Sequence, residues 1–256
     1  MAAYEDFASV YDIFMDNIDY DMWIKYLHKI WQKFNISPNL IAELGCGTGN
    51  ITARLAKEGY DMIGIDISEE MLSVARNKAY EEGLNSILYL LQDMTEFELY
   101  GTVDIVLCLC DSINYITDYS DLVKVIKLAN NYLEPGGLFI FDINTEYKFK
   151  HVLGNNTFAD TEDNAAYIWQ NYYDEDKKIN EYYVNFFIGS DDGLYERTEE
   201  FHYERAYSLE EIKKAITEGG MVYEASFDAF TFNAPTETSQ RIYFIAREHG
   251  KETGGK

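Results

Sequence analysis

Five short apolar runs recur between residues 40 and 143, each separated from the next by a stretch with its own break or helical spacing. They are LIAEL (40–44), MIGID (62–66), SILYLLQD (86–93), VDIVLCLC (103–110) and LFIFDI (138–143). Nearly continuous Val, Ile and Leu predicts strands covered on both faces, as in a parallel sheet. The intervening segments supply the cover. NITARLAKEG leads to Gly59, and Ser68 precedes a helix with Glu69 and Glu70 in its first turn. That helix turns Met71, Leu72, Ala75 and Ala79 inward and stops at Gly83. Residues 120–133 repeat the pattern through Leu122, Val125, Ile126, Ala129 and Leu133. Glu134-Pro135-Gly136-Gly137 then predicts a type II turn. Strand and helix in this rhythm predict a doubly wound α/β fold. Right-handed crossovers gather the loops that follow the strands along one sheet edge, where such folds bind ligands.

The flanks have different patterns. Residues 1–37 form a helical cap, in which Trp23, Tyr26, Leu27, Ile30, Trp31 and Phe34 make one stripe and Asp19 or Asp21 serves the helix start. The α/β core spans 38–150. Residues 151–207 read as an antiparallel insert of three strands, 165–173, 178–188 and 194–206, broken by turn chemistry at 174–178 and 189–193. With 13 acidic and 4 basic side chains, this insert is expected to be a largely solvated sheet, acting as a lid. SLEE (208–211) is a capping box, two closing strands complete the core by 248, and 249–256 is a tail.

The formal charge of −24 disfavours a phosphate-rich partner, so nucleic acid is not expected. No apolar run approaches the roughly 18 residues of a membrane helix, and the acidic start does not resemble a secretory signal. Cys46, Cys108 and Cys110 form no CxxC pair, and His28, His151, His202 and His249 have no metal-ligand spacing. These features predict a cytoplasmic monomer or homodimer with a small-molecule substrate and no metal.

ELGCGTGN (43–50) is the chemical centre of the sequence. A dinucleotide loop reads G-x-G-x-x-G, but the sixth position from Gly45 is Asn50. Three alternate glycines predict a more open loop, and Glu43 ahead of them would repel a phosphate yet pair with an ammonium. Asp66 ends the second strand, where a carboxylate can accept from both ribose hydroxyls. Asp93 ends the third, able to accept from an adenine amino group while the Met94 backbone N–H donates to a ring nitrogen. Three acids at three strand ends suit a ligand with an amino-acid end and a nucleoside end.

ELGCGTG, GIDIS, LQDM, CDSINY, EPGG and FIFDIN, in this order, resemble the motifs of class I S-adenosylmethionine-dependent methyltransferases. The resemblance covers about residues 38–150, and the N-terminal aromatic helix and the insert make the chain similar to glycine/sarcosine and sugar-amine N-methyltransferases. It implies a seven-stranded, mostly parallel Rossmann-like sheet of order 3-2-1-4-5-7-6 with the last strand antiparallel. It also implies S-adenosylmethionine as cofactor, with Glu43, Gly45 and Gly47 around the methionine end, Asp66 on the ribose and Asp93 with Met94 on the adenine. Cys46, Ile67, Met71 and Cys110 are further expected cofactor neighbours, and Tyr11 is expected to fold over the cofactor carboxylate or to pack as a helix aromatic.

The expected acceptor is an amine, held beyond the fourth strand. Asp111 either orients it and takes its proton or is a turn carboxylate. His202 is a second candidate base, or a structural strand histidine. Asn114 and Tyr115 touch substrate or build their loop, and Arg205 binds a substrate carboxylate or pairs with Glu204 or Glu196. Tyr172, Tyr173, Tyr182, Tyr183, Tyr195 and Tyr203 form a pleated face or an aromatic wall for a cation. The alternatives are an O-methyltransferase, a catalytically silent cofactor-binding subunit, and an NAD-dependent oxidoreductase.

Overall fold

A computed structural model describes Asp12 and residues 18–162, 164–190 and 193–251. The N-terminal helix α1 (Tyr20–Lys33) precedes β1 (Leu40–Leu44), α2 (Asn50–Lys57), β2 (Asp61–Asp66), α3 (Glu69–Glu81), β3 (Leu88–Leu91) and β4 (Val103–Cys108). A 3-10 turn, Ser112–Tyr115, leads to α4 (Tyr119–Tyr132) and β5 (Leu133–Asn144). After a π-helical turn, Lys148–Leu153, come β6 (Thr157–Glu162), β7 (Ala165–Asp174), β8 (Ile179–Gly189) and β9 (Tyr195–Arg205). Helix α5 (Leu209–Glu218) and strands β10 (Val222–Asp228) and β11 (Arg241–Arg247) close the chain.

Seven strands form the main sheet in the order β10-β11-β5-β4-β1-β2-β3. In chain order of the core strands this is the expected 3-2-1-4-5-7-6 arrangement, with β11 antiparallel to β5. Both faces are covered. Ala42, Leu44, Val106, Phe139, Phe141 and Phe244 pack on one side against α4 and α5. Ile41, Ile105, Leu107, Ile140, Tyr243 and Ile245 pack on the other against Trp23, Leu27, Ile30 and Trp31 of α1. Successive residues point to opposite faces of a strand, so burial on both sides leaves no polar alternation to see in the sequence.

The caps behave as their residue types require. Asp19 Oδ1 accepts from the Met22 N–H at 2.9 Å, and Ser68 Oγ accepts from the Met71 N–H at 3.1 Å. Ser208 and Glu211 form the reciprocal box. Gly136 has φ +81°, as the predicted turn demands, and the turn bulges from β5 where its pairing with β4 shifts register.

The second sheet differs from expectation. It has four antiparallel strands, β6-β7-β8-β9, not three. Strand β6, TFADTE, is an edge strand whose side chains are mostly exposed, so it carries no apolar alternation to mark it; Phe158 alone reaches the Trp169 ring, 4.9 Å away. Nor is the sheet largely solvated. Its inner face holds Tyr173, Tyr182, Phe186, His202 and Glu204, all buried. Tyr172, Tyr195, Phe201 and Tyr203 point outward and are exposed. Asn171 and Asn180 exchange side-chain hydrogen bonds of 2.9 and 2.8 Å inside the sheet. A buried amide pair left unmade would cost on the order of 1–3 kcal/mol, so it helps fix the register.

One side chain ties the two sheets together. Asn114 is buried and its amide donates to the Asn144 carbonyl at 3.0 Å and the Arg205 carbonyl at 2.9 Å, while accepting from the Asn144 N–H at 2.9 Å. Asn144 ends β5 and Arg205 ends β9, so one residue pins both the exit to the insert and the return from it. Asn114 thus builds its loop. Arg205 pairs with Glu211 at 3.1 Å, not with Glu204, which faces the other side of β9, nor with Glu196, which lies at the strand's far end.

Candidate active site

The rim of the main sheet opens into a cavity of about 760 Å³ that continues under the insert. Glu43, Gly45, Cys46, Gly47, Asp66, Ile67, Met71, Asp93, Met94 and Cys110 all line it. So do Asp111 and His202. Tyr11 lies outside the described residues.

The three glycines have three separate jobs. Gly45 has φ +66°, and a Cβ there would stand 2.7 Å from Ser112 Oγ. Gly49 has φ +75°, is the N-cap of α2, and a Cβ on it would meet Tyr89 Oη at 2.6 Å. Gly47, at φ +53°, has no atom of the described residues within 4 Å of where its Cβ would be, its two chain neighbours aside. The first and third glycines serve packing; the middle one leaves open space beside the cavity. This is the physical sense of the alternate spacing.

The carboxylates are placed by the strand ends. Asp66 accepts from the Gly47 N–H at 2.7 Å and the Ser68 N–H at 2.9 Å, so it shapes the loop as well as facing the cavity. Burial raises its pKa, while those backbone donors pull against the rise. Glu43 is buried, accepts from the Thr52 hydroxyl, and is pushed by burial up to about 8, with Asp66 adding to the rise. Asp93 Oδ1 is held by the Thr95 N–H and hydroxyl, each at 2.7 Å. A rim of three carboxyl groups is an expensive place for a phosphate and a favourable one for a cation.

Asp12 gave no signal in the sequence. Its carboxylate accepts from Thr48 Oγ and Asn50 Nδ2, both at 2.8 Å, and from Lys78 Nζ at 2.9 Å. Burial would raise its pKa, but these donors hold it below the usual value. Asp12 is thereby tied to the glycine loop.

The far end of the cavity is built differently. Arg241, on β11, donates to Asp142 and, at 2.6 Å, to Asp111. Its guanidinium stands 5.3 Å from the Trp23 ring centre. Asp111 sits at φ +58°, and its N–H donates to Asp142 at 3.1 Å. Burial pushes Asp142 up even though Arg241 pulls it down. His202 Nε2 is 2.9 Å from Glu200, and its ring meets Tyr115 edge-on at 5.9 Å. Lys148 Nζ donates to Asn144 Oδ1 at 2.9 Å, and burial lowers its pKa. Of the six tyrosines considered as a wall, Tyr182 lines the cavity, with Tyr167, Trp169 and Phe186 beside it. Asp142, Arg241, Lys148 and Glu204 carry no local signal in the sequence; the register of β5, β9 and β11 and the π-helical turn after β5 bring them together.

Comparison with known proteins gives this geometry a family. The profile of a methyltransferase domain matches residues 41–137. A Geobacillus sp. (strain WCH70) protein with a provisional methyltransferase name is 36% identical over 247 residues, 96% of this chain and 99% of its own. The crystal structure of an S-adenosylmethionine-dependent methyltransferase from Clostridium acetobutylicum ATCC 824 superposes with a TM-score of 0.85 at 33% identity, covering 96% of this chain and 99% of that one. The sugar N-methyltransferase KedS8 from Streptoalloteichus sp. ATCC 53650 shares the fold with a TM-score of 0.77 at 17% identity, covering 94% of this chain and 93% of that one. With rim, glycine loop, sheet order and full-length relatives in agreement, the chain belongs to the class I S-adenosylmethionine-dependent methyltransferases.

Proposed function

We propose that the protein methylates the nitrogen of a small amine, with S-adenosylmethionine held along the sheet rim. The observation that carries this reading is the cavity itself. Its near end offers three carboxyl groups and an open glycine, and its far end offers aromatic rings and buried charged groups under the insert. The near end fits a nucleoside that carries an ammonium. Glu43 faces the ammonium, Gly45 and Gly47 the methionine backbone, Asp66 the ribose hydroxyls, and Asp93 with the Met94 N–H the adenine. Cys46, Ile67, Met71 and Cys110 supply the remaining contacts. When bound, the cofactor supplies an electrophilic methyl group on a sulfonium.

The chain's own groups then have three tasks. They hold the acceptor nitrogen in line, exclude water, and keep that nitrogen unprotonated. Orientation of this kind is worth about 7–11 kcal/mol in favourable cases. The insert supplies the second wall, lined by Tyr167, Trp169, Tyr182 and Phe186. An ammonium approaching this wall meets aromatic faces. Arg241 spends its charge on Asp111 and Asp142, which leaves the rim acidic.

The test is consumption of S-adenosylmethionine in the presence of small primary amines, with the matching alcohols as controls. Turnover with amines supports the reading; turnover with alcohols alone reassigns the acceptor to oxygen.

A further inference from the structure

Four acid–base groups at the far end of the cavity have work already. Asp111 is ion-paired with Arg241, and His202 Nε2 is engaged by Glu200. Arg241 holds two carboxylates, and Lys148 is a donor to Asn144. Glu204 differs. It is 1% exposed, lines the cavity from the inner face of β9, and its Oε2 has no hydrogen-bond partner among the described residues. A buried carboxyl oxygen without a partner costs on the order of 1–3 kcal/mol, a cost a ligand can remove.

Resting on the amine reading above, we infer that Glu204 is a catalytic residue that takes the proton from the acceptor's ammonium group. Burial keeps the Glu204 carboxyl neutral in the empty site, so the entering ammonium first displaces the Glu204 proton to solvent. The N–H proton then passes to that carboxylate and leaves the nitrogen neutral with its lone pair. The nitrogen then forms the new bond to the methyl carbon as the carbon–sulfur bond breaks and its electron pair stays on sulfur. The methylated nitrogen is left cationic and sheds its remaining proton to solvent.

The surroundings suit this task. Burial raises Glu204 well above the usual carboxyl value, and Asp111 pushes the same way. Lys148, Tyr182 and Asn144 act against the rise. Arg241, His202, Tyr115 and Tyr167 also line this end of the cavity, and Asp142 lies behind Arg241. Glu200 shares the inner face of β9, and Tyr195, Glu196, Arg197, Glu199, Tyr203 and Arg205 are the other titratable groups of that strand. A carboxyl raised by burial is a stronger proton acceptor than an ordinary one.

Two readouts test the inference. The first is turnover of ethanolamine, glycine or glucosamine. Glu204→Gln is expected to lower kcat/KM by about 10²–10⁴-fold. Its acidic limb should move up toward the amine's own titration, so that activity partly recovers at high pH, while affinity for S-adenosylhomocysteine is unchanged. Glu204→Asp should retain part of the activity at neutral pH. The second readout needs no turnover. Binding of the same amine to wild-type protein loaded with S-adenosylhomocysteine, followed by calorimetry in two buffers, should release about one proton at pH 7, and none in Glu204→Gln. Should that variant not fold, the wild-type proton count decides alone. Wild-type turnover with an unaltered rate and pH profile in Glu204→Gln, or no proton released on amine binding, overturns the role of Glu204. Failure of the wild type to bind or methylate any of these amines overturns the amine reading beneath it.

Discussion

The cavity has two walls of different make. The rim wall is built from backbone: glycine dihedrals, strand-end carboxylates and the N–H groups that hold them. The insert wall is built from side chains: aromatic rings and charged groups brought in by β5, β9 and β11. The first should bind the ligand common to the family. The second should decide what receives the methyl group. Damage to the rim is therefore expected in cofactor affinity, and damage to the insert wall in turnover.

The largest effect in stability tests whether the insert wall's charges are a structural unit. Arg241→Met leaves Asp111 and buried Asp142 without their counterion. The expected cost is about 3–5 kcal/mol in denaturant unfolding. A cost below about 1 kcal/mol would show that the two carboxyl groups protonate and tolerate the loss.

Next comes the rim. Asp66→Ala removes the carboxylate proposed for the ribose and the anchor of the Gly47 and Ser68 N–H groups. Loss of charge-assisted hydrogen bonds worth about 1.5–3 kcal/mol should weaken S-adenosylhomocysteine by about 10–100-fold in calorimetry. Amine turnover at saturating cofactor should fall much less. Gly45→Ala should weaken the same affinity by about tenfold, through roughly 1–2 kcal/mol of left-handed strain plus the Ser112 contact. Ser112→Gly in the same protein should restore the part due to contact and not the part due to strain.

A pH measurement sharpens the contrast further. Glu43 is raised to about 8, so it is mostly protonated at pH 7 in the empty site. A ligand ammonium favours its ionised form, so binding must release a proton. Affinity for S-adenosylhomocysteine should thus rise with pH and level off above about 8. Calorimetry in buffers of different ionisation enthalpy should count the proton, and Glu43→Gln should abolish it. The smallest effect belongs to the outer face of the insert. Tyr203→Ser changes an exposed ring and is expected to alter stability by less than about 0.5 kcal/mol and leave turnover alone.

The two walls also differ in how far the sequence reveals them. Glu43, Asp66 and Asp93 could be found because strand ends and glycine spacing are local features, readable within a few residues. The fold was legible for the same reason: each buried strand is one unbroken apolar run. Arg241 meets Asp111 across 130 positions of chain, and nothing near either residue announces the other. Glu204 could be placed only after β9's register was known, since a slip of one residue would turn it outward and Tyr203 inward. Strand β6 escaped because an edge strand needs no apolar face.

The central claim is that the acidic rim accepts a cationic nucleoside and turns phosphates away. Calorimetric titration of the wild-type protein with S-adenosylhomocysteine, NADH and ATP tests it directly. Saturable binding of S-adenosylhomocysteine and no measurable heat from the two phosphates are expected. Saturable binding of NADH or ATP with S-adenosylhomocysteine unable to displace it would contradict it.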